Sequence, residues 1–329
     1  MVTSRRPAHR LQRGRGLAAA LLAVLLGLGG CALLPPPQTR ALLDAPPAGL
    51  AERRELREVP FFAQSEYECG PAALATALSA AGIPARPEAL VDQVYLPARK
   101  GSLQLEMLAT ARREGALAVR LPPTLDALLR EVAAGHPVVV LQNLGLAVAP
   151  RWHYAVVVGY DLAAREMVLR SGTTERELIS FGTFEHTWKR SGHWAFVALR
   201  PGELPATATE NELTAAAVAF ERVAPPATAA TVYESALRRW PNSLTLAMGL
   251  GNTRVAADDL PAATLAFQTA AHRHDSTPAW INLAELHLQQ SQFVQAEAAA
   301  RRALARSVTE PDWRSAAEET LTRVLEAKR

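Results

Sequence analysis

Cysteine is nearly absent: the 329 residues contain only Cys31 and Cys69. Two thiols make neither a disulfide framework nor a four-ligand zinc cage. Aromatic residues are also few, at 6% of the chain. The 23 prolines and 19 glycines show no period, which excludes a collagen-like fibre. No apolar run reaches the ~20 residues of a membrane-spanning helix; the longest, Leu17 to Gly30, is shorter. A lasting excess of positive charge is missing too. The formal net charge is +3, but Arg5, Arg6, Arg10, Arg13 and Arg15 stand within residues 1–30, where no acid stands. Without those five the remainder is at −2, so nothing recommends a nucleic-acid partner. What is plentiful is apolar residues, 49% of the chain, enough for a core in each of two domains and too many for a disordered chain.

The arginines, the apolar stretch and a small-residue end at Leu28-Gly29-Gly30 make a secretory signal over residues 1–30. The four residues ending in Cys31 resemble a bacterial lipobox, in which the cysteine is lipidated after cleavage. That resemblance implies a membrane contact through lipid on Cys31. Ala32 after it resembles the sequences sorted to the outer membrane, facing the periplasm. Residues 31–57 are proline-rich without hydrophobic period and read as a tether with extended segments.

Residues 58–200 read as an α+β domain, helices first and an antiparallel sheet after them. Val59–Phe62 reads as an opening strand. Helices are expected over Pro71–Ala81, Pro87–Tyr95, Ser102–Glu114 and Thr124–Ala134, the first, third and fourth each followed by glycine. Short apolar runs at Pro137–Gln142, Tyr154–Tyr160, Glu166–Arg170 and Trp194–Leu199 read as strands, and Phe181–Lys189 as a helix between the last two.

Chemistry concentrates at Gln64-Ser-Glu-Tyr-Glu-Cys69-Gly70-Pro71. Cys69 stands where a loop enters a helix, and orphan N–H groups there favour a thiolate. Gly70 leaves room for a substrate backbone, Gln64 offers an amide donor to an oxyanion, and His153 opens a strand as a candidate base. Each feature alone has an ordinary structural reading: a small core thiol, or a structural histidine. The order Val-Pro-Phe-Phe-x-Gln, then Cys-Gly-Pro-Ala-Ala-Leu, then His-Tyr on a strand resembles the papain-like bacteriocin-processing cysteine peptidases, including stand-alone relatives not fused to an exporter. That resemblance covers about residues 58–200. It implies Cys69 as nucleophile, His153 as general base and acid, and Gln64 in the oxyanion hole.

The family orients its histidine with an aspartate of an Asp-Pro pair on the next strand, and this pair is absent. Asp161 is eight residues from His153, about 26 Å along a straight strand, and reads better as the start of the turn DLAARE. A hairpin near Ala163 brings Ser171 to Thr174 opposite His153. Ser171 is then the candidate orienting group, Asp161 the weaker alternative, and Glu175 a candidate if the register slips. His136 reads as a turn residue, and His186 and His193 as packing in an aromatic patch with Trp188 and Trp194. No metal-ligand spacing supports a zinc site among His153, His186 and His193, and no cofactor is called for.

After a polar linker at 201–212, residues 213–329 are alanine-rich and helical with a period of 33–34 residues. Ala229-x3-Tyr233-x2-Ala236-x4-Pro241 is the clearest unit. Gly251, Ala263, Phe267 and Ala270 mark the second, and Ala284, Ala296, Ala300 and Ala303 the third. This resembles tetratricopeptide repeats over 210–243, 244–276 and 277–310, with a capping helix at 311–328. Such repeats imply a peptide or protein partner in their groove. The whole chain reads as an exported thiol peptidase. The alternatives are a weak or inactive peptidase-like adaptor in envelope assembly, or another thiol chemistry such as acyl transfer.

Overall fold

The computed structural model describes residues 35–63, 69–99 and 101–329, in two units, 1–46 and 47–329. Cys31, Gln64 and the whole signal stretch lie outside the described residues. Among those described, no helix is long and apolar enough to cross a membrane.

In the first unit the expected extended tether contains a helix, α1 (Pro37–Asp44). Proline suits its first position because the N–H it lacks would find no partner there. A second departure lies in the other unit, where Arg53–Glu55 forms strand β1 and pairs antiparallel with the far end of a central strand. The sheet therefore begins inside the segment read as tether.

The sheet is antiparallel throughout. With β4 (Leu117–Arg120), β5 (Val138–Asn143), β6 (Trp152–Asp161), β7 (Glu166–Ser171), β8 (Thr174–Ser180) and β9 (Ala195–Leu199), its order is β4-β9-β5-β6-β7-β8. One edge of β6 is shared, with Trp152–Val157 on β5 and Gly159–Asp161 on β1. Gly159 permits that second pairing, since a Cβ there would lie 2.8 Å from the Arg54 carbonyl oxygen. Sequence pattern misses β4, a four-residue strand, and β8, whose TERELIS reads as polar. Charge suits β8 because it is an edge strand, where like charges deter pairing with another chain.

The first long helix, α2 (Cys69–Ala80), is apolar on all sides and buried from Gly70 to Leu78. An all-round apolar helix must be covered on every side. It lies on the sheet, with Leu74, Leu78, Met107, Val139, Tyr154, Val156, Val158 and Phe196 in one cluster. Helices α3 (Pro87–Val94) and α4 (Gln104–Arg113) complete that layer, joined by the two-stranded hairpin β2 (Tyr95–Leu96) and β3 (Gly101–Ser102). Helix α5 (Leu125–Ala133), capped by the Thr124 hydroxyl, packs on β5 and β6; α6 (Phe181–Lys189) packs on β5, β7 and β8. The expected strand at 59–62 does not form. The Val59 carbonyl instead accepts from the Arg170 guanidinium at 3.2 and 3.3 Å, so a side chain does the work of a ladder.

Seven helices follow: α7 (Glu210–Glu221), α8 (Pro226–Arg239), α9 (Leu244–Ala256), α10 (Leu260–His274), α11 (Thr277–Gln289), α12 (Phe293–Arg306) and α13 (Arg314–Ala327). Each packs on the next. Tyr233 and Phe267 fill crossings where the facing helix has glycine. A Cβ at Gly249 or Gly251 would lie 2.3 or 2.2 Å from those rings. The array starts against the sheet, α7 on β4. Its linker is held by Glu131 of α5, a fully buried carboxylate that accepts from the backbone N–H of Ala206 and Thr207, the Thr207 hydroxyl and the His136 ring. The turn residue His136 is thus a partner of this buried acid. Arg239 of α8 donates to the Pro205 and Ala206 carbonyls from the other side.

Candidate active site

The described part of helix α2 starts at Cys69, two residues before the predicted start, and Cys69 lines a cleft of about 830 Å³. The cleft is lined by Cys69, Ser102, Leu141, Trp152, His153 and Tyr154 among others. Cys69 and His153 therefore share one cavity although they come from a helix and a strand far apart in sequence. Cys69 is the free cysteine of the described residues and is half-buried.

His153 stands second in β6, directly opposite Gln142 of β5. Its Nε2 lies 2.9 Å from Ser171 Oγ, at the end of β7. Adjacent strands place diagonal residues of one face within side-chain reach, and the pairing Val156↔Arg170 puts Ser171 on that diagonal. With Nε2 so engaged, Nδ1 is the ring nitrogen left for the cleft. Gln142 is not free to act there, because its amide donates to Thr187 at 2.7 Å.

The other two candidates for orienting the ring fall elsewhere. Asp161 is at the opposite end of β6, where it accepts from the Ala164 N–H at 2.8 Å and faces Arg53 at 3.7 Å. It starts a turn and is outside the site. Glu175 is exposed, for a specific reason. Leu169 pairs with Glu177 and Ser171 with Thr174, so β8 carries one extra residue between the two pairs. A regular ladder would put Glu175 opposite Ser171; the bulge removes it.

Two further expectations change. Gly70 makes room for the chain itself, not for a substrate. A Cβ there would lie 2.1 Å from Ser102 Oγ, so the missing side chain lets β3 close on the helix start. Among the described residues the buried Ser102 hydroxyl has no hydrogen-bond partner, while its carbonyl accepts from Tyr154 Oη at 3.2 Å. The thiol also departs from the thiolate reading. Burial pushes Cys69 up from its ordinary value, and the N–H groups of Tyr154, Gly70 and Cys69 only oppose this. Burial likewise holds His153 below the usual histidine range, with the Arg151 charge adding to it and the Glu177 carboxylate opposing it. Both shifts favour a neutral thiol beside a neutral imidazole.

Around the mouth runs loop 144–151, which sequence pattern leaves unassigned. Asn143 Oδ1 accepts from the N–H of Gly145 and Arg151, both at 2.9 Å, and Arg190 donates to the carbonyls of Asn143 and Gly145. So pinned, the loop turns Leu144, Leu146 and Val148 outward, the last 91% exposed, next to the half-exposed Trp152. Ser102, Tyr154, Glu177 and this loop are the site residues that sequence reasoning missed. The only sequence signal for any of them was the tyrosine after His153. Among the described residues no three His, Cys, Asp or Glu side chains converge as a metal site would require.

Residues 56–196 match the model of the Peptidase_C39 like family. No curated protein matches the chain. A putative C39-like peptidase from Bacillus anthracis is similar in structure at 19% identity and TM-score 0.38, over 46% of this chain and 98% of its own. A double glycine motif protease from an AMS/PCAT transporter, solved with the leader peptide, aligns at 19% identity and TM-score 0.33, over 43% of this chain and 91% of its own. The type III secretion chaperone SycD of Yersinia enterocolitica, in complex with a peptide of the translocator YopD, aligns at 17% identity and TM-score 0.34, over 36% of this chain and 94% of its own. Residues 56–196 are thus similar to the Peptidase_C39 like family, and the helical region that follows has structural neighbours that include the TPR2B domain of yeast Sti1.

Proposed function

We propose that this chain is an exported, lipid-anchored thiol peptidase that hydrolyses peptide bonds of a protein or peptide held by its helical array. The observation that carries the reading is the shared cleft: Cys69 and His153 line it together, and Ser171 holds the far nitrogen of the imidazole. Because burial favours the neutral pair, the proton moves during attack and not before it. His153 takes the Cys69 proton as Sγ bonds to the scissile carbonyl carbon. The oxyanion meets the Cys69 N–H at the helix start and the Gln64 amide. The C–N bond then breaks as His153 returns the proton to the leaving amine, leaving a thioester. Water gives a proton to His153 and its oxygen to the acyl carbon, the C–S bond breaks, and the thiol is restored.

Lipid on Cys31 fixes the chain in the bacterial envelope, at the outer membrane facing the periplasm. The array supports a protein-binding role through a groove of about 300 Å³ lined by Leu237, Leu250, Leu265, Arg254 and Arg273. Two sequence changes test both parts. In the Cys31→Ser chain Cys69 is the sole thiol, so labelling by a thiol-directed probe reads this residue alone. Labelling that falls at least tenfold in His153→Ala supports an activated nucleophile. Equal, slow labelling in both forms favours the adaptor reading, to which a histidine held by a neutral hydroxyl also lends weight. Metabolic incorporation of an alkynyl fatty acid, lost in Cys31→Ser, tests the anchor; incorporation that persists rules it out.

A further inference from the structure

Ser171 orients His153 but carries no charge, so it does not offset the positive charge of an imidazolium formed during the reaction; a carboxylate on the same sheet face would. The sheet register identifies one. Val157 of β6 pairs with Leu169 of β7, which pairs with Glu177 of β8. Directly opposed residues share a face, and so do residues two or four apart along a regular strand. His153 stands four residues from Val157 on a stretch whose pairing with β5 is unbroken. Ser171 stands two from Leu169. One face of three adjacent strands therefore carries His153, Ser171 and Glu177. The β8 bulge that turns Glu175 out leaves Glu177 in place and half-buried, with Leu178 exposed on the other face.

We infer that Glu177 is a positioning residue of this site: its carboxylate stabilises the positive form of His153 across the sheet face, in series with the Ser171 hydroxyl that holds the ring. The inference rests on the peptidase reading for its use in turnover, but the interaction itself does not. Among the described residues, the other charged or titratable groups that line the cleft are Arg151, just before β6, Arg190, after α6, Tyr154, and Cys69 at the start of α2. The two arginines carry the opposite sign. Among the described residues, Glu177 favours protonation of His153, against Arg151 and burial. A half-buried charge acts through a medium less polar than water and is screened only in part.

The test is the titration of His153 followed by NMR in the full Cys31→Ser chain, its resonance assigned by loss in His153→Ala. Glu177→Gln is expected to lower the midpoint by about half a pH unit. Glu177→Asp restores most of it, and Glu175→Gln, which removes the same charge two residues away, leaves it unmoved. An unmoved midpoint in Glu177→Gln, or an equal shift in Glu175→Gln, overturns the inference. The acid limb of the thiol-labelling profile separates this from the reading beneath it. A limb that follows the NMR midpoint in each variant shows Glu177 tuning the base that Cys69 uses. An NMR shift beside labelling that ignores His153 keeps the electrostatic contact and sinks the peptidase.

Discussion

The sheet domain and the helical array bury apolar surface by opposite means. In the sheet domain large side chains from distant segments meet: Phe196 of the last strand, Met107 of α4 and Leu74 of α2 share one cluster. In the array the packing is between sequence neighbours, and alanine and glycine at the crossings let helices approach while Tyr233 and Phe267 fill two of the gaps. A network of distant contacts fails as a unit, whereas a stack of neighbours can loosen one layer at a time. The candidate site belongs to the first kind, because its thiol and its imidazole are brought together only by the complete sheet.

The largest expected effect that would break this contrast is Phe196→Ala. It should destabilise the sheet domain by about 4 kcal/mol and abolish His153-dependent labelling of Cys69. Retained labelling in that variant would show a site independent of the sheet core. Gly251→Ala, by forcing a methyl group onto the Phe267 ring, should weaken the array by about 2 kcal/mol. Helical content should then melt earlier by circular dichroism while labelling of Cys69 stays unchanged; a matched fall in labelling would make the two regions one cooperative unit.

Smaller effects sharpen the comparison at the seam. Glu131 has its pKa lowered: burial would raise it, but bonds from His136, Thr207 and the Ala206 and Thr207 N–H groups outweigh that. A depressed carboxylate contributes stability above its ordinary value, here 4.5, and loses it as pH falls through the lower folded value. Glu131→Gln should therefore cost about 1–2 kcal/mol near neutrality and flatten the acid limb of the melting curve below pH 4.5. The same limb in wild type and variant would deny Glu131 its part in holding the linker. Smallest is Ser171→Ala, expected to slow His153-dependent labelling about tenfold, some 1.4 kcal/mol, with thermal stability nearly unchanged. A rate equal to wild type would remove Ser171 from the machinery.

Much of the fold is legible before any coordinates. The helix Phe181–Lys189 has the predicted ends, and most other predicted helices and strands lie within two residues of their place. Period and end signals are local, and local signals survive folding. The array is legible for the same reason, since its period repeats the positions of Tyr233, Phe267 and the small residues around them. Val59–Phe62 misled because β-propensity does not say whether a partner edge is free; Arg170 satisfies Val59 instead. The tether misled because a strand as short and charged as Arg53–Glu55 carries no pattern and exists only through β6.

The sequence by itself determined that a cysteine heads a helix, that a histidine opens a strand, and that a helical array follows. Those are properties of short stretches, set by capping, period and residue size. Tertiary structure alone decided which groups surround the pair. One extra residue in β8 chose Thr174 over Glu175 as the partner of Ser171 and kept Glu177 on the histidine's face. Burial, which no single residue carries, pushes the Cys69 thiol up and the His153 imidazole down, against the pull of the helix start on the thiol. Register and desolvation are sums over distant segments, and a linear pattern does not contain them.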